Sequence, residues 1–188
     1  MTKIVIYGLS GSGKSSIAKL IQDYYKEKDM ETTILKLAYP LYEIQNKFYT
    51  VAGKKINFFD QDQLLLESIA THLRKISATS LIDNFIERLR TCTSPVVLND
   101  DIRDYDTDYP VLKKEGFIFI RIICDENVRV ERLSARKDLS VNIKSDTTNN
   151  LDKFEAEWTI DTSFCNFDVL KSRVHEILGC IERRNEFE

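Results

Sequence analysis

Eight residues near the start of the chain, Gly8-Leu9-Ser10-Gly11-Ser12-Gly13-Lys14-Ser15, combine residue types and a spacing suited to holding a polyphosphate. The pattern is G-x-x-x-x-G-K-S, set between an apolar run and a segment with helical periodicity. Glycines let the backbone turn tightly and approach an anion with no Cβ in the way. Successive N–H groups and the positive end of the following helix then converge on one point. Lys14 is expected to reach the β- and γ-phosphates and the Ser15 hydroxyl to hold Mg²⁺. The expected cofactors are ATP and Mg²⁺, contacted by Gly8, Ser10, Gly11, Ser12, Gly13, Lys14, Ser15 and Ser16. A plain glycine-rich turn would not require Lys-Ser in the last two places.

A second group of candidates follows the short apolar run Val96-Val97-Leu98. Asp100 and Asp101 close a strand of the buried type, where an unpartnered charge is costly. One of them, Asp101 in the first assignment, is expected to hold Mg²⁺ through water or to orient the acceptor. A turn or helix-cap aspartate is the ordinary alternative. Arg103 emerges on the same side and offers a planar fork of donors to an acceptor phosphate. Further on, Arg129, Arg132 and Arg136 share one helix side at three- and four-residue spacing. They could neutralise a phosphoryl group in transfer, or simply form a solvated face with Glu126 and Glu131. Lys36 and Arg74 are candidates for the acceptor side, while His72 and His175 stand alone.

The elements that must position these residues alternate. Strands are expected at Ile4 to Tyr7, Thr32 to Leu37, Val96 to Leu98, Phe117 to Cys124 and Glu157 to Ile160. Helical periodicity marks Ile17 to Tyr24, Leu41 to Val51 after Pro40, a long pattern from Asp62, and Ile82 to Leu89. It returns at Glu126 to Arg136 and Leu170 to Ile181, with a polar stretch over Lys137 to Asp152 between them. Alternation of this kind implies one α/β domain: a five-stranded parallel sheet between two helical layers. Ligands of such sheets bind beyond the carboxyl ends of the strands, which would gather the candidates around one cleft.

Bulk properties exclude other classes. With 188 residues, 43% hydrophobic and 30% charged, the chain is long enough for a real core and is not of the disordered type. A net charge of −3 argues against a dedicated nucleic-acid binder. Cys92, Cys124, Cys165 and Cys180 lack metal-ligand spacing and read as scattered reduced thiols. No apolar stretch is long enough to span a bilayer, and the first strand begins too early for a signal peptide. A cytoplasmic protein without a membrane partner is expected. The polar surface leaves oligomeric state open.

The order of motifs resembles the phage-type deoxynucleoside monophosphate kinases and, more distantly, the dephospho-coenzyme A kinases. The resemblance rests on the phosphate loop, Tyr39-Pro40-Leu41, Ala70-Thr71-His72-Leu73-Arg74, Leu98-Asn99-Asp100-Asp101-Ile102-Arg103 and the stretch from Arg129 to Arg136. It implies a three-layer P-loop kinase fold with acceptor-binding helices over about 40–92 and a lid loop over about 129–152. It implies that Asp101 and Arg103 match the family's Asp-x-Arg, Arg132 and Arg136 its lid arginines, and Arg74 the arginine that helps hold the acceptor. With the residue readings above, the expected catalytic residues are Lys14, Asp101, Arg132 and Arg136, the acceptor contacts Lys36, Arg74, Arg103 and Arg129, and the metal contacts Ser15 and Asp101. The adenine site would fall at Thr162 to Phe167. Where that family carries an Asn-Glu pair after Asp-x-Arg, this chain has Asp104-Tyr105-Asp106-Thr107, which leaves acceptor identity open. The expected activity is transfer of the γ-phosphoryl group of ATP to a nucleoside monophosphate. A dephospho-coenzyme or a metabolite alcohol is the alternative acceptor, with an aspartate near residue 100 as base. A nucleotide-dependent switch is less well supported, since no guanine-recognition pattern such as Asn-Lys-x-Asp occurs.

Overall fold

The computed structural model describes residues 1–135, 139, 151–164 and 166–186. Five strands, β1 (Thr2–Tyr7), β2 (Thr32–Ile34), β3 (Val96–Asn99), β4 (Ile118–Ile123) and β5 (Trp158–Asp161), form one sheet. All pairings are parallel, in the order β2-β3-β1-β4-β5. The helices are α1 (Lys14–Lys26), α2 (Tyr39–Val51), α3 (Gln63–Ile76), α4 (Ser80–Thr91), α5 (Asp108–Lys114), α6 (Glu126–Ser134) and α7 (Phe167–Glu186). β1 is the central strand, so the loop that follows it opens in the middle of the sheet's carboxyl edge.

Alternation along the strands divides the core into two layers. Ile4, Ile6, Leu98, Ile120 and Ile122 face α1 and α7 and pack with Ile17, Ile21, Val174 and Leu178. Val5, Tyr7, Val97 and Phe119 face the other way and pack with Ile82, Phe85 and Leu89 of α4 and Leu112 of α5. Strands covered on both sides can be apolar throughout, which explains runs such as Val96-Val97-Leu98. A smaller cluster of Leu41, Ile69 and Leu81 joins α2, α3 and α4 into a wing beside the sheet.

Local signals set the boundaries. Pro40 sits in the first turn of α2, where its missing N–H costs nothing. Asp62 caps α3 by accepting from the Leu65 N–H, and Asp125 caps α6 by accepting from Asn127 and Val128. β2 is shorter than its sequence suggests. The Leu35 N–H still bonds to Leu98 O, but the next N–H groups, of Leu37 and Ala38, turn to Asp101 and the ladder stops. α5 has no counterpart among the expected helices. Of the stretch expected to be polar loop, Lys137 to Asp152, residues 137, 138 and 140–150 lie outside the described residues, and near its end Leu151 is buried in the core, as is Phe154 just beyond it. Among the described residues no helix is long and apolar enough to cross a membrane.

Candidate active site

β1 delivers the chain into a loop whose shape depends on three glycines. Gly8, Gly11 and Gly13 have φ of 156°, 83° and 91°, values that disfavour side-chain-bearing residues. Space is equally restrictive. A Cβ on Gly8 would lie 2.3 Å from the Ile122 carbonyl oxygen, and one on Gly11 would lie 2.8 Å from the Arg129 carbonyl oxygen. The loop is therefore wedged against β4 on one side and α6 on the other. The Ser12 N–H closes the turn onto Leu9 O at 3.1 Å. Lys14 Nζ donates to Gly8 O at 2.9 Å and Leu9 O at 3.0 Å, which holds the ammonium over the loop.

A cleft of about 230 Å³ opens along the loop and is walled by the ends of β2 and β3 and by the wing. Ser10, Gly11, Gly13, Lys14, Ser15, Lys36, Asp100, Asp101, Arg103 and Arg129 all line it, as do Leu41, Tyr42 and Leu66. Residues from five separate parts of the chain thus meet, as alternation of strands and helices implies. Gly8 and Ser12 turn towards β4, and Ser16 lies exposed in the first turn of α1, outside this lining.

The two aspartates after β3 face different tasks. Asp100 pairs with Lys36 at 2.7 Å within the cleft. Asp101 accepts from the N–H groups of Leu37 and Ala38 at 2.8 and 3.0 Å and from the Asn99 amide at 2.7 Å. Its carboxylate therefore clasps the backbone leaving β2. Burial and the neighbouring Asp100 push its pKa upward, against the pull of Lys36 and the two N–H donors. Arg88 of α4 completes the clasp by donating to Lys36 O at 2.7 Å, its guanidinium 5.0 Å from the Tyr39 ring centre. Arg88 is absent from the sequence candidates, where its only signal is a cation beside the apolar face of Ile82, Phe85 and Leu89.

The arginines divide similarly. Arg103 faces the cleft with no hydrogen bond or ion pair among the described residues. Arg129 also lines it and reaches Ser10 O at 3.3 Å. Arg74 lies outside the lining. It donates to Thr107 at 2.8 Å and pairs with Asp104 at 3.2 Å and Asp108 at 3.1 Å. Burial pushes Asp108 up in spite of that partner. Burial also opposes ionisation of Asp104, but the N–H of Thr107, Arg74 and the N–H of Asp106 outweigh it and hold that carboxyl below the usual range. Arg132 donates to Thr162 O at 2.8 Å and to Thr162 Oγ1 at 3.2 Å, behind the loop. Arg136 lies outside the described residues.

No family model matches the chain, and no curated protein matches it. Solved structures do. The chain is similar to shikimate kinase from Bacteroides thetaiotaomicron at 12% identity, over 97% of this chain and 98% of that one, with a TM-score of 0.57. Shikimate kinase from Acinetobacter baumannii, in complex with shikimate, matches at 12% identity over 98% and 94%, with a TM-score of 0.54. APS kinase from Mycobacterium tuberculosis, in complex with AMPPNP and APS, matches at 16% identity over 96% and 98%, with a TM-score of 0.50. Likeness at these identities is one of fold, and the fold is the three-layer α/β architecture of P-loop kinases.

Proposed function

We propose that the chain is an ATP-dependent phosphotransferase whose acceptor is a small anion, a nucleoside monophosphate first among the candidates. The observation that carries this reading is one cleft holding both Lys14 of the phosphate loop and Arg103, a cation without a protein partner among the described residues. A guanidinium at such a place is suited to an acceptor phosphate. Similarity of fold to shikimate and APS kinases supports a small-molecule kinase.

The donor side fits a magnesium nucleotide. A glycine cradle that a Cβ would fill, an exposed Ser15 beside it, and the Asp100 carboxylate in the same cleft supply the required groups. When bound, Mg²⁺ would offset charge on the β- and γ-phosphates, with Ser15 and Asp100 as its holders. Lys14 and Arg129 stabilise negative charge that develops on the transferring group. Lys36, fixed by the clasp of Asp101 and Arg88, sets the position of Asp100. In this reading Asp101 and Arg74 are positioning residues, since the first holds backbone and the second ties α3 to the start of α5. A lid over about 129–152 would exclude water; Leu139 N–H donates to Gln61 O at 2.9 Å, and residues 136–138 and 140–150 of that stretch lie outside the described residues.

A hydroxyl acceptor is the second reading, favoured by Asp100, a carboxylate that faces the cleft and could accept the proton. Incubation with ATP, Mg²⁺ and a panel of nucleoside monophosphates tests the first reading through diphosphate formation. Transfer only to alcohols, abolished by Asp100→Asn, would establish the second. ATP hydrolysis indifferent to every acceptor would sink both.

A further inference from the structure

The back of the phosphate loop is tied to the end of β5 through one hydroxyl. Thr162 is 2% exposed and lies outside the cleft lining. Its Oγ1 is 2.7 Å from Ser12 O, 3.3 Å from Ile123 O and 3.2 Å from Arg132 Nη1. A hydroxyl has one proton to give, whereas a guanidinium can only donate. Arg132 therefore occupies a lone pair of Thr162, and the proton goes to a carbonyl, the nearer being that of Ser12. Arg132 is itself held on the Thr162 carbonyl at 2.8 Å, so the orientation is doubly fixed.

The consequence lies in the peptide that joins Ser12 to Gly13. A trans peptide places its C=O and N–H on opposite sides. Drawing the Ser12 carbonyl back towards Thr162 turns the Gly13 N–H forward, and Gly13 lines the cleft. Gly13, in the left-handed region at φ 91°, flanks this peptide on one side, so its own backbone offers little barrier to rotation there. We propose that Thr162 is a positioning residue for the polyphosphate: through Ser12 it keeps the Gly13 N–H aimed at the bound anion, and Arg132 orients it. Arg132 thereby acts through Thr162 and not on the phosphoryl group. The inference rests on the reading of the loop as a nucleotide site and is separate from acceptor identity.

The test measures MgADP binding by calorimetry, without any acceptor, for the full chain and for Thr162→Val and Thr162→Ser. Thr162→Val keeps the shape but removes the donor. Its dissociation constant is expected to rise about tenfold, the scale of one buried hydrogen bond. Thr162→Ser is expected to stay within about twofold of the parent chain, since it retains the hydroxyl. Adenosine, which has no phosphate, should bind all three alike. If Thr162→Val does not fold, as judged by thermal melting, Thr162→Ala gives the same comparison with less bulk near Gly13. Equal MgADP affinity in the parent and the valine or alanine variant overturns the proposal. So does an equal loss in the serine variant, which would assign the effect to side-chain volume. A parent chain that binds no MgADP takes down the nucleotide reading and this proposal together.

Discussion

The two walls of the cleft are made of different material. The loop wall is backbone: glycines pressed against β4 and α6, with a carbonyl held by Thr162, all anchored in the doubly covered sheet. The wing wall is side chains: α2 and α3 share a small apolar cluster with α4, Tyr39 and Tyr42 of α2 pack on Phe58 and Phe59, and polar links join the rest. Gln45 donates to Asp60 O at 2.6 Å, Tyr49 to Asp62 at 2.9 Å, and Arg74 reaches Asp104 and Asp108. Backbone wedged in a close-packed core has one shape, whereas a wing held by a smaller cluster of side chains can adjust and opens at lower free energy. One wall suits a constant ligand and the other suits a particular one.

Substitutions can break that contrast. The largest effect is expected at Lys14. Lys14→Met should lower turnover by about 10²–10³-fold, measured by coupled assay, while melting temperature stays near that of the parent. In the sheet core, Phe119→Ala should cost about 3–5 kcal/mol by urea denaturation, and Ile69→Ala in the wing about 2 kcal/mol. Equal costs would mean that the wing is as firmly packed as the sheet. Arg103→Met should raise the acceptor KM by about 10–10²-fold and leave the KM for ATP unchanged. Movement of both constants would place Arg103 on the donor wall. Asp101→Asn should destabilise the chain by about 1–2 kcal/mol because one carboxylate oxygen that accepts from backbone is lost, whereas Asp100→Asn should lower turnover with little change in stability.

The smallest effect concerns pH. Burial raises Asp108 above its ordinary value of 3.8, so the folded chain holds that proton more firmly than the unfolded chain. Its contribution to stability is complete below that ordinary value and is lost as pH rises through the raised one. Denaturation midpoints for Asp108→Asn should therefore show a flatter decline across this acid window. An unchanged slope would mean that Arg74 fully offsets the burial.

The same division separates what could be read from the chain order. The phosphate loop was legible because its chemistry is local, a spacing of eight residues between a strand and a helix. The covered strand Val96-Val97-Leu98 announced itself as a short β-branched run, and alternation of strands with helices implied the parallel sheet. Legibility failed where the decision belongs to tertiary structure. Asp100 and Asp101 are neighbours of one type, and only the exact end of β2 decides which of them meets the backbone. Arg74 reads as a free cation beside an apolar stripe until α5 brings Asp108 to it. α5 itself is seven residues long and contains Pro110, too short and too interrupted to show a period. Thr162 and Arg88 act on carbonyls 150 and 52 positions away in sequence, and no local pattern encodes such a bond.

The outermost strands carry a further consequence. Only three residues of β2 and four of β5 stand at the borders of the sheet. Just beyond β2, the N–H groups of Leu37 and Ala38 are already committed to Asp101. Another chain seeking to extend the ladder would find too few free amides to pair with. The brevity of both border strands thus leaves little ladder for edge-to-edge pairing between copies of the chain.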